Sequence, residues 1–211
     1  MATVARATAT AERRDAILAA ALEQFTQKGF AATSIEDVRR ASGASVGSIY
    51  HHFGSKEELA AGIHIEGVRR YQEELLEVLR DEPQAEAGIK GVVRFHLGWV
   101  RANRRLAQFM FARQEAEVLR RAEPGLRELN HRFAAAAGAW LEPHIRAGEI
   151  RRLPPDVMFA LLIGPSQELS RLWLGRRTDT DPDEAAELLA ESVWSSLKGK
   201  RKSTSRKGGR R

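Results

Sequence analysis

The run Thr33-Ser-Ile-Glu-Asp-Val-Arg-Arg-Ala-Ser-Gly-Ala-Ser-Val-Gly-Ser-Ile-Tyr-His-His-Phe-Gly-Ser-Lys-Glu-Glu-Leu59 decides how this chain folds. Thr33-Ser-Ile-Glu36 has the spacing of a capping box, in which a hydroxyl and an acid satisfy the free amides at a helix start. It predicts a short helix reaching about Ala41. Ser42-Gly43-Ala44 is a tight connection, and a second short helix follows from Ser45 to about Phe53. Ser55-Lys-Glu-Glu58 is another capping box, opening a long helix to about Arg80. With the helix before them these make three short helices, the last two joined by a three-residue turn containing Gly43, which meets the requirements of a helix-turn-helix, its motif at residues 34–53. Ile35, Val38, Val46, Ile49 and Phe53 are expected to pack inward on Leu22 and Phe25. Ser45, Gly47, Ser48, Tyr50 and His51 are left on the outer face of the second short helix. Small residues there let a backbone approach base edges in the major groove.

Outward from this run, the apolar residues keep helical spacing throughout, and alternating β-branched runs are missing. A first helix is expected from about Glu12 to Lys28, with Ile17, Leu18, Ala21, Leu22 and Phe25 on one stripe and Gly29 as its stop. Beyond Pro83, longer helices are expected near 86–103, 105–121, 124–147, 155–174 and 182–197. Pro124 and Pro182 suit a first helical turn, Asp181 suits a cap, and Gly148 and Gly175 suit C-terminal stops. Residues 157–163 are apolar all round, which predicts burial on more than one side, and Gly164-Pro165 predicts a kink. The fold class is all-α.

Composition sets the bounds. The 211 residues are 43% hydrophobic, enough for a real core. There is no cysteine, which removes disulfides, thiolate metal sites and cysteine nucleophiles together. No apolar run approaches a membrane span, and Met1 to Thr10 lacks the apolar core of a secretory signal, so a cytoplasmic protein with an unordered 1–10 is expected. The net charge of +6 is unevenly distributed. Residues 198–211 hold eight basic side chains and no acid, leaving 26 basic and 28 acidic residues elsewhere. The body is therefore near neutral, and nucleic-acid binding by it must rest on pattern. The tail reads as a basic, low-complexity, disordered extension.

The quoted run, with the preceding Ile17…Ala21…Phe25…Gly29-Phe30, strongly resembles the DNA-binding signature of the TetR family of transcriptional regulators. The resemblance covers roughly residues 11–71. It implies a helix-turn-helix head at 11–71, a ligand-binding and dimerisation body at 72–197, and a homodimer built on the last two long helices. It also implies double-stranded operator DNA as partner, with repression relieved by a small-molecule effector. By the same resemblance, Thr33 and Ser34 meet phosphate, and Ser45, Val46, Gly47 and Ser48 lie at base-reading or close-approach positions. Tyr50 and His51 meet the DNA backbone, and Lys56 a phosphate. The base-reading face lacks the Arg, Lys, Asn or Gln that read purines bidentately, so shape is expected to contribute to recognition.

Other readings of the same residues stand beside this one. Tyr50 taken alone is also a partly buried core aromatic, and Lys56 an ordinary solvated helix start. His51 and His52 are adjacent on a helix and point apart, which disfavours a metal pair. Gly43-Ala-Ser45-Val-Gly47 matches the G-x-S-x-G elbow of serine hydrolases, but that elbow needs a strand before the serine. His64, His96, His131 and His144 have no metal-ligand spacing, and neither metal nor cofactor is expected. The basic tail alone would suit a non-specific nucleic-acid binder. For the effector, Phe95, Trp99, Phe109, Phe111, Phe133, Trp140 and Phe159 are candidate walls and His96, Arg113, Gln167 and Arg171 candidate polar anchors. The same aromatics suit a plain core, and Arg113 and Arg171 suit ion pairs with Glu115 and Glu168. An apolar or aromatic effector is the expectation.

Overall fold

The computed structural model describes residues 2–112 and 116–199, with residues 2–7 as backbone only. Arg113 and the basic positions from Lys200 onward lie outside it. Within the described residues the chain is helical throughout: α1 (Ala2–Lys28), α2 (Ile35–Ser42), α3 (Val46–Phe53), α4 (Lys56–Asp81), α5 (Ala85–Ala102), α6 (Arg104–Phe111), α7 (Ala116–Arg146), α8 (Pro155–Leu174) and α9 (Pro182–Leu197). The one extended pairing among them is an isolated bridge between Ile150 and Lys198.

The helix boundaries follow local chemistry. Ser34 caps α2, its hydroxyl accepting from the Asp37 amide while the Asp37 carboxylate accepts from the Ser34 amide. The capping box is thus Ser34 with Asp37, one residue later than Thr33 with Glu36. Gly43, with φ of 67°, ends α2 in the left-handed region that glycine enters without strain. Ser45 caps α3 by accepting from the Ser48 amide.

Three expectations need correction. The first helix begins at Ala2, not Glu12, because Ala2, Ala5, Ala7, Ala9 and Ala11 are strong helix formers with no glycine or proline among them. The expected helix 105–121 is two elements: α6 stops at Phe111, where Ala112 turns extended. Pro124 lies inside α7 and not at a helix start. The turn before it is held by Arg120 and Arg121 on Glu117 and by the buried Val118 and Ala122, which offsets the amide that proline lacks. Gly175 ends α8 as expected, its amide donating to the Arg171 carbonyl, while the positive φ of the turn belongs to Arg176.

The chain divides into two compact units, Met1–Glu74 with Trp99–Phe133 and Leu75–Gly98 with Ala134–Arg211. Residues 99–133 therefore join the N-terminal unit, where a division near residue 71 was expected. In that unit Phe109 of α6 stacks on Phe25 of α1, and Arg121 of α7 pairs with Glu58 of α4. Its core is Ile17, Ala21, Phe25, Val38, Ile49, Phe53, Leu59 and Ile63, each full burial of a large side chain contributing about 1.5–3 kcal/mol. The second unit is built on Ile89, Val93 and Leu97 of α5, Met158 of α8 and Ala186, Ala190, Val193 and Leu197 of α9. Residues 157–163 are not buried all round, since Val157 and Phe159 are exposed.

Candidate nucleic-acid interface

The candidate surface is the outer face of α2 and α3, wholly within the first unit. Ile49 and Phe53 are buried and anchor α3, which turns its other side to solvent. Ser45, Val46, Gly47, Tyr50 and His51 are exposed and Ser48 half-buried. Tyr50 is 47% exposed, so it is not a core aromatic. A Cβ added at Gly47 would meet no atom within 4 Å. The fold makes no demand for glycine there, and a helical glycine costs about 1 kcal/mol against alanine. The absent side chain leaves the α3 backbone open on its outer face.

The phosphate-type groups are used unequally. Ser34 is exposed at the start of α2. Thr33 is 2% exposed, and its single hydroxyl proton is shared between the carbonyls of Gly29 (2.8 Å) and, more weakly, Gln24 (3.2 Å). The Thr33 side chain thus closes the α1–α2 turn from inside and is not turned to a phosphate. Lys56 Nζ donates to the Phe30 and Thr33 carbonyls at 3.0 Å each, which leaves one of its three N–H bonds.

Charges on α2 are largely neutralised in place. Arg39 grips Glu36 through two hydrogen bonds of 2.8 Å, which holds the Glu36 carboxyl below its ordinary range. The Lys28 ammonium, 2.8 Å from Asp37, with the Ser34 amide and hydroxyl, holds that carboxyl far below the usual carboxylate range. Arg40 also reaches Asp37. The sequence reading missed Asp37 as the capping acid, although Ser34-x-x-Asp37 has the required spacing.

One competing chemistry loses its geometry. Ser45 follows α2 and caps α3, so it stands between two helices where a hydrolase elbow needs a strand. The His51 and His52 rings meet edge to face at 5.6 Å, and among the described residues no three metal-binding side chains gather.

The expected effector residues divide between the two units. Trp99, Phe109 and Phe133 fall in the first unit, and Phe95, His96, Trp140, Phe159, Gln167 and Arg171 in the second. Phe109 belongs to the α1–α6 stack. Trp140 donates to the Glu82 carbonyl and packs on His144. Phe159 is 55% exposed, and Arg171 is exposed beside Glu168, so neither lines an interior wall. Phe95, Phe133 and Gln167 are half-buried, and His96 and Trp99 buried. Burial pushes the His96 imidazole down to about 4. Arg113 lies outside the described residues.

A short helix offering small residues and an open backbone, set behind a glycine turn and braced by a capped partner helix, defines a helix-turn-helix DNA-binding protein. Residues 17–63 match the bacterial regulatory proteins of the tetR family. The chain is 25% identical over 202 residues to the transcriptional repressor KstR2 of Mycolicibacterium smegmatis, covering 89% of this chain and 79% of that protein. It is 28% identical over 200 residues to the transcriptional regulator TcmR of Streptomyces glaucescens, covering 88% and 82%. The fold is similar to that of the regulator FadR from Bacillus subtilis, solved in complex with stearoyl-CoA, at a TM-score of 0.71 and 19% identity over 85% of this chain and 97% of that one. The head of the chain thus carries the tetR-type regulatory motif, over most of its length the chain is similar to transcriptional regulators, and it is a DNA-binding transcriptional regulator.

Proposed function

We propose that the protein is a homodimeric cytoplasmic repressor that holds a near-palindromic operator through two copies of the 11–71 head. A small apolar or aromatic molecule held in the second unit releases it. The observation that carries the reading is the open face of α3, where Gly47 leaves the backbone bare between Ser45, Ser48 and Tyr50. Ser45 to Ser48 approach base edges, while Ser34, Tyr50, His51 and the remaining Lys56 donor hold phosphates. In the second unit His96 and Gln167 orient the effector against Phe95. The FadR complex with stearoyl-CoA supports an apolar effector. Among the described residues no helix is long and apolar enough to cross a membrane. Val157 and Phe159 on α8 and Leu188 on α9 are exposed apolar side chains that a second copy would cover.

The test is selection of bound duplexes from random DNA, followed by release with stearoyl-CoA as the first probe. Recovered sites with inverted half-sites about one helical turn apart support the reading. Recovery of no preferred sequence overturns it.

A further inference from the structure

Lys56 opens α4, and its ammonium is already engaged. It donates to the carbonyls of Phe30 and Thr33, and it stands 4.4 Å from the centroid of the Phe30 ring. Those carbonyls bracket the turn between α1 and α2, and Thr33 immediately precedes the Ser34 cap. The Phe30 ring packs on Phe25 at 5.3 Å, and Phe25 stacks on Phe109 of α6 at 6.0 Å and 18°. Phe25 and Phe109 are both buried. A continuous row of contacts therefore runs from α6, through three rings and one ammonium, to the start of the helix-turn-helix. A lysine serving phosphate alone would keep its ammonium in water, not over a ring and under two carbonyls.

We infer that Lys56 is a positioning residue that, through the Phe30 ring and the Phe30 and Thr33 carbonyls, pins the α2 start to α4 and so sets where the helix-turn-helix stands. The inference rests on the DNA-binding reading above and adds to it the residue that holds the start of α2 in place.

The test uses Phe30, which is not among the residues proposed to meet DNA. Phe30→Leu removes the ring, Phe30→Tyr keeps it, and Lys56→Gln removes the cation. Binding to a duplex selected by the unaltered protein is measured across a salt series, and amide exchange of Ser34 to Val38 is measured without DNA. Phe30→Leu is expected to weaken binding by roughly 3–30-fold with an unchanged salt slope, the range of a cation–π contact. It should also speed the α2 exchange, and Phe30→Tyr should restore both. Phe30→Leu combined with Lys56→Gln should lose less than the product of the two single losses. A folded Phe30→Leu protein with unaltered binding and exchange overturns the inference, as do losses that simply multiply. Should Phe30→Leu fail to fold, amide exchange of Ser34 to Val38 in Lys56→Gln without DNA decides: faster exchange than in Phe30→Tyr supports the clasp, and equal exchange overturns it. Faster exchange in Phe30→Leu with no duplex selected by the unaltered chain would sink the DNA-binding reading and leave the clasp standing.

Discussion

Gly47 occupies a helical position at which the protein itself offers room for a side chain. Gly47→Ala should therefore stabilise the head by up to about 1 kcal/mol, since alanine is the better helix former. If the bare backbone serves DNA, the same change should weaken operator binding. A raised melting temperature with reduced affinity is the expected pair, and unchanged affinity would remove Gly47 from the contact surface. His96 carries a second residue-scale consequence. Burial lowers its folded value to about 4, below the ordinary 6.5 it regains on unfolding. The unfolded chain thus takes up the proton first, so stability should fall as pH drops from about 6.5 towards 4. The loss from this one group amounts to about 3 kcal/mol, with no effect above that window. His64, also lowered by burial, acts in the same direction. His96→Gln should flatten the acid limb of urea denaturation between pH 7 and 4.5. An equal loss in both proteins would mean that the folded state takes up a proton at His96.

The α1–α2 turn separates what sequence patterning reads from what it does not. Ser34-x-x-Asp37, Gly43 and Ser45 announce their elements because capping is local chemistry among neighbouring residues. Thr33 and Lys56 looked like phosphate groups because a hydroxyl and an ammonium at helix starts suit phosphate equally well. Their internal partners, Gln24, Gly29 and Phe30, come from a different helix and its turn, which periodicity does not bring together. The same limit explains the effector residues. Phe109 and Phe159 both sit on apolar helical stripes, yet one ends in the α1–α6 stack and the other in solvent. The break at Ala112 carries no glycine or proline to mark it. Thr33→Val tests the reassignment at this scale. It removes hydrogen bonds of 2.8 and 3.2 Å and should cost about 1 kcal/mol of head stability. At temperatures where the head stays folded, the salt slope of DNA binding should not change. A slope reduced by about one unit would return Thr33 to the phosphate surface.

At the scale of the whole molecule, the head alone is a weak instrument. α3 has eight residues, and its outer face holds few side chains able to read bases, so strong specificity requires two heads on one duplex. The second unit bears the exposed apolar side chains that a two-fold contact would cover: Val157 and Phe159 on α8 and Leu188 on α9. Their own cores are already satisfied by Met158, Ile163, Ala186 and Ala190, so nothing within the unit calls for them to be apolar. A carboxylate at Phe159 and at Leu188 is tolerated by a free subunit and is costly once a second copy excludes water from it. Phe159→Glu with Leu188→Glu should therefore leave helicity and melting close to those of an isolated subunit while shifting sedimentation from dimer to monomer. Operator affinity should fall towards that of random DNA, because the second half-site then has to be found by an independent molecule. A double variant that remains dimeric would move the interface elsewhere on the surface. One that is monomeric yet binds the operator as tightly as the unaltered protein would show that a single head suffices, and the requirement for a palindrome would go with it.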